Sequence, residues 1–241
     1  MASALKDLSW VEIEAVCDRL RPALETAASV ERAAAELAAT FLRFSETCLL
    51  ARVFLVVPWS KLPPADRDWA SELARKLGRT VSPTTPILAL AGTAGKQARW
   101  NERTASEGHR AIPLFDRAFI DGAPMIAALL GALRIDFEPS TEGAMQLRAM
   151  PGGLNARFLV EDGATSTDAE GRHIIAQDFA ASFGIRSVFG MGGSYVGGDH
   201  AIAVIFTTEA LAARDVDRFT NLISVFKMAT SERIRTGKLF G

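Results

Sequence analysis

The chain has 241 residues, 49% of them apolar and 23% charged, with a formal net charge of −1. That balance is an ordinary globular one, and a charge near zero gives no pull toward nucleic acid or an anionic lipid surface. Two cysteines, Cys17 and Cys48, are too few and too far apart for a disulfide scaffold or a zinc site, and read as buried thiols of a reducing cytoplasm.

The N-terminus lacks an apolar run followed by a cleavage site, so no secretory signal is read there. The longest apolar runs, 53–57 and 123–133, fall short of the roughly 20 residues that cross a bilayer. A cytoplasmic protein with no membrane or nucleic-acid partner is expected.

Ser9-Trp10-Val11-Glu12 has the form of a capping box. Behind it Ile13, Val16, Cys17, Leu20 and Leu24 make one apolar stripe, which Pro22 should kink or restart. Ser29 is a second N-cap candidate, followed by a stripe of Val30, Ala34, Leu37, Ala38, Phe41 and Leu42. The alanines at 33–35 and 38–39 leave room for another element to approach closely.

Residues 48–58 form the first strand, too short and too β-branched for a separate helix. Pro63 and Pro64 open a helix through Trp69, Leu73 and Leu77 that Gly78 closes. A second strand spans 86–91. Residues 92–124 carry no strong periodicity, yet their Trp, Phe and Ile content argues for order. A short apolar helix is expected at 124–133, and a loop or short helix at 136–153.

A third strand at 155–161 leads into a turn at 162–168. A short strand at 173–176 and a helical turn at 178–182 follow. A strand at 183–191, the turn Val196-Gly197-Gly198-Asp199 and an apolar strand at 201–208 read as a hairpin. From about 212 an amphipathic helix places Val216, Phe219, Leu222, Ile223, Phe226 and Ala229 on one face. Strands scattered among helices, joined partly by hairpins, indicate an α+β fold with a mostly antiparallel central sheet of about five or six strands.

Two glycine motifs fail. Gly92-Thr93-Ala94-Gly95-Lys96-Gln97 lacks the leading glycine and the magnesium-binding hydroxyl of a phosphate loop, and reads as a turn after a strand. In Gly190-Met191-Gly192-Gly193-Ser194-Tyr195 a tyrosine stands where a dinucleotide fingerprint needs its third glycine. The histidines His109, His173 and His200 share no i, i+4 spacing for a helical metal site. No catalytic or metal-ligating residue is assigned.

The polar cluster Arg99-Trp100-Asn101-Glu102-Arg103, with His109 and Arg110 close by, admits two readings. Arg forks and a Trp face can wall a pocket for a small anion or heterocycle. The same residues can equally pin a loop, through Trp100 burial and Arg–Glu pairs.

The closing order of strand, hairpin, strand and helix over 183–238, with a leading helix and first strand over 28–58, resembles a GAF domain, a small-molecule sensory module of bacterial signalling proteins. The resemblance implies one domain over 1–241. Within it lie an N-terminal helix at 1–28 suited to dimerisation, an enlarged insertion at 92–153 between the first and third strands that walls a pocket, and a C-terminal helix at 212–238. It further implies a non-enzymatic sensor acting as a homodimer, with a signalling kinase or regulator as partner.

The candidate ligand-binding residues are Trp100, Arg103, His109, Arg110, His173 and Tyr195. The ligand and any cofactor stay unassigned. Bilin attachment would need a pocket cysteine, and haem an axial ligand, for which His109 and His173 are the candidates. Two other readings remain open: a scaffold that binds no ligand, and an enzyme. Reduction of free methionine sulfoxide, known on GAF-like folds, would need cysteines in the pocket.

Overall fold

The structure is a computed structural model that describes residues 3–106, 108–135, 137–139, 145–147 and 155–241, the two short central stretches by their backbone alone. Two helices lead the chain, α1 (Trp10–Thr26) and α2 (Val30–Phe44). The capping box at Ser9 and Glu12 is formed, and the Ser29 hydroxyl accepts from the Arg32 amide to start α2. Helix α1 runs on through Pro22, so of the kink or restart expected there the restart does not occur. Thr26 Oγ1 donates to the Pro22 carbonyl in its last turn.

Strand β1 (Cys48–Pro58) follows, then α3 (Pro64–Lys76) and β2 (Pro86–Gly95). Strand β2 therefore continues through the glycines read as a turn. Its last part pairs with β1, with Gly95 opposite Leu50. Next come β3 (Ala111–Pro113), α4 (Arg117–Asp121), α5 (Pro124–Ala132), β4 (Phe137–Pro139) and β5 (Met145–Leu147). Strands β4 and β5 pair with each other, where a loop or short helix was expected over 136–153. The rest of that segment lies outside the described residues.

The chain closes with β6 (Ala156–Val160), α6 (Gln177–Phe183), β7 (Ser187–Ser194), β8 (His200–Thr207), α7 (Ala213–Val216) and α8 (Thr220–Arg235). Residues 173–176 form no strand, only an isolated bridge from His173 to Thr167. Phe183 ends α6 instead of opening β7, and Gly184 caps that helix at φ +63°. The expected single C-terminal helix is divided by a 3-10 turn at Asp217–Phe219.

Six strands make one antiparallel sheet in the order β3-β2-β1-β8-β7-β6, so the fold is the expected α+β architecture. Strands β1 and β8 are central. The β7–β8 hairpin turns at Gly197 and Gly198, both at positive φ, where glycine meets no Cβ penalty.

Alternation along β1 divides the interior in two. Ala51, Val53, Leu55 and Val57 face a core shared with α1, α2 and α8. Leu50, Phe54 and Val56 face a second core beneath α5 and α6. Helix α2 lies so close to β2 that a Cβ on Gly92 would collide with the Ala34 backbone.

Candidate functional site

The second face of the sheet carries a cavity of about 570 Å³. Its floor is Leu50, Arg52 and Phe54 of β1, Leu88 of β2, and Val204 and Phe206 of β8. Its roof is α5 with Pro124, Met125, Ile126 and Leu129, completed by Ile174, Ile175 and Phe179. Helix α5 is apolar on almost every side, so it can cover a cavity and still seat Leu129 and Leu130 in the core. Three polar side chains interrupt the lining: Arg52, His109 and His173.

Arg52 takes the position of an apolar residue in the alternating row Leu50, Arg52, Phe54, Val56. Its cross-strand partners are Thr93 and Val204. Its Nε is buried and has no hydrogen-bond partner. Among the described residues no carboxylate pairs with it. Burial lowers its pKa to about 10, which still leaves it charged at neutral pH.

A second cavity of about 400 Å³ adjoins the first and is lined by Thr93, Arg99, Trp100, Glu102 and Ser106. Arg52 and His109 line both cavities. His109 is pushed down to about 4, first by desolvation of the ring and second by the charge of Arg52. The residue as a whole is nonetheless exposed to solvent, which tempers both effects. Its imidazole is neutral at pH 7, with one donor and one acceptor nitrogen.

The other residues nominated from sequence are placed as follows. His173 lines the main cavity. Trp100 is buried, its ring edge-on to Phe183 at 4.6 Å and to Phe179 at 5.8 Å, and it borders only the smaller cavity. Gly95 makes room for it, because a Cβ there would stand 2.7 Å from the indole.

Arg103 and Arg110 turn away from the cavities. Both grip the buried carboxylate of Asp66 on α3, at 2.7 and 2.6 Å, and Arg103 also meets Glu31 of α2 at 2.5 Å. Their guanidinium groups lie over Phe240 and Trp69. These contacts pin the loop that carries His109, the second of the two sequence readings for this cluster. Tyr195 stands on the opposite face, hydrogen-bonded to Thr230 of α8 at 2.8 Å, with its phenol pKa raised by burial.

Arg52 was not singled out from the sequence, although the signal was there: one charge at an inward position of an otherwise apolar strand. Cys17 and Cys48 belong to the helical core, not to the cavity, and burial raises their thiols to about 11 and about 12. Among the described residues no three His, Cys, Asp or Glu side chains come together as metal ligands would. No described helix is long and apolar enough to cross a membrane.

No protein-family model matches the sequence, and no curated protein matches it either. Among solved structures, the chain is similar to the free methionine-R-sulfoxide reductase of Neisseria meningitidis in complex with its substrate. The identity is 12% and the TM-score 0.54, over 98% of this chain and 97% of that one. It is also similar to the phycoerythrobilin-bound GAF domain of a cyanobacterial phytochrome, at 11% identity and TM-score 0.47, over 95% of this chain and 98% of that one. The likeness to the reductase, itself a GAF-like fold, makes the fold of this chain GAF-like, as the closing hairpin and helix indicated. At such identity the likeness speaks for the fold alone.

Proposed function

We propose that this chain is a non-enzymatic GAF-type sensory domain that binds a small molecule between its central sheet and helices α5 and α6. The observation that carries this reading is the cavity of about 570 Å³, within the roughly 300–1,000 Å³ of small-molecule sites and lined almost wholly by apolar side chains. The two thiols support a role without thiol chemistry. They lie across the sheet from the cavity and stay protonated at neutral pH.

The route for a signal is one strand thick. In β1, Arg52 and Phe54 meet the ligand while Ala51, Val53 and Leu55 meet the helices. In β8, Val204 and Phe206 lie on one side, Ala203 and Ile205 on the other. A ligand that favours one packing of the cavity shifts the population of helix arrangements behind it. The terminal helices α1 and α8 pack side by side and expose Trp10, Val11 and Met228. This helix pair, with Trp10 and Val11 exposed at one end of α1 and Met228 near the other, suits a second copy of the chain in a cytoplasmic homodimer, which would present the helices to a kinase or regulator.

Native mass spectrometry of protein purified from its own host tests the binding reading. A stoichiometric small molecule released on denaturation supports it. Protein that comes out bare, and stays bare when cell extract is added back, counts against it. Sedimentation at micromolar concentration tests the homodimer, which a concentration-independent monomer would contradict.

A further inference from the structure

We infer that the cavity selects a small monocarboxylate with an apolar aliphatic or aromatic body, and that Arg52 is the receptor for its charge. The inference rests on the sensory reading above and names the ligand class for the same site.

Arg52 sits mid-strand in β1, between Leu50 and Phe54, on the floor of the cavity. A guanidinium carries five N–H donors and a permanent charge, and removing it from water is unfavourable unless an anion or acceptors replace the lost hydration. Here its Nε is buried without a partner, and among the described residues no Asp or Glu pairs with it.

The contrast within the same chain is direct. Arg103 and Arg110, at similar depth, share the carboxylate of Asp66. Arg52 instead borders the cavities, where a partner from outside the chain can reach it. A carboxylate matches the fork of its N–H groups in a two-bond arrangement.

One guanidinium favours one negative charge. His109 beside it is neutral and adds a single N–H donor, not a second positive charge. That combination suits a carboxylate better than a phosphate dianion. The body of the ligand is set by the rest of the lining, where Phe54, Leu88, Ile126, Phe179 and Phe206 offer only apolar surface.

Isothermal titration of matched pairs tests this: octanoate with octanamide, and 3-phenylpropanoate with 3-phenylpropanamide. The wild-type chain should bind at least one carboxylate about tenfold or more tightly than its amide, the preference a charge-assisted hydrogen bond confers. Arg52→Met should abolish that preference, bringing acid and amide affinities within about twofold of each other. Arg52→Lys should keep part of it, since the charge remains and the fork is lost.

Equal affinity for acid and amide in the wild-type protein would overturn the inference and leave the cavity a binding site. Absence of binding by all four compounds would also overturn the inference, while the sensory reading stands or falls on the mass spectrometry above. The wild-type comparison stands even if a variant fails to fold.

Discussion

Arg52 and His109 both line the two adjoining cavities, and the charge of Arg52 helps to hold the imidazole of His109 near pKa 4. Arg52→Met removes that charge without removing the enclosure, so the pKa of His109 should rise while staying below its ordinary 6.5. A proton NMR titration of the His109 ring reads this directly. An unchanged midpoint would mean that solvent in the cavity fully screens the guanidinium.

Asp66 holds Arg103 and Arg110 together beneath the loop that leads into β3. Asp66→Asn keeps the shape and removes the charge, leaving two guanidinium groups facing each other in a largely buried site. The expected loss is about 3 kcal/mol, within the range seen when one partner of a buried ion pair is removed. Urea unfolding measures it, and a loss below about 1 kcal/mol would show that the cluster is solvated like a surface pair.

Gly92 lies against the backbone of Ala34, whereas Gly131 in α5 has open space where a Cβ would go. Gly92→Ala should therefore destabilise by about 1–3 kcal/mol or more, since a backbone neighbour cannot swing aside. Gly131→Ala should stabilise by roughly 0.5–1 kcal/mol through helix propensity. Thermal unfolding of the two variants side by side checks the sign of each effect.

His200 is buried, its Nδ1 has no hydrogen-bond partner, and its pKa is lowered to about 4 by desolvation and by nearby Lys227, against the backbone of Gly198. In the unfolded chain it titrates near 6.5, so between pH 6.5 and 4 the unfolded state binds more protons. Stability is then full above pH 6.5 and falls as pH drops through that window, by on the order of 3 kcal/mol in all. His200→Gln should flatten most of this slope, leaving a smaller one from the partly solvated His109. A slope that is the same in both proteins would mean that His200 accepts its proton without penalty.

The parts of the fold written in repeated patterns were legible in the sequence. The stripes of α1 and α2, the apolar strands β1 and β8 and the Gly197-Gly198 turn each rest on several residues that agree. Features that depend on a distant partner were not. Glycines 92 and 95 look like a turn, yet they continue β2 because Ala34 and Trp100 need the space a side chain would fill. Phe183 reads as strand by propensity but ends α6, where its ring meets Trp100 and Phe179.

The candidate site was legible only in part. His109 and His173 reach the main cavity, but Arg103 and Arg110 look identical to ligand-binding residues until Asp66, 37 and 44 positions away, is seen between them. Arg52 breaks the apolar alternation of β1, a signal carried by one residue alone and so passed over beside the larger polar cluster at 99–110.

The most direct measurement is a titration of isotopically labelled protein with octanoate, following backbone amide resonances. Binding in the cavity should move the signals of Leu50, Arg52, Ile126, His173 and Phe206 first and most. Tyr195 and Thr230, across the sheet, should respond weakly and only through the strands. Shifts confined to α1 and α8, on titration with octanoate or with 3-phenylpropanoate, would contradict a ligand site beneath α5 and α6.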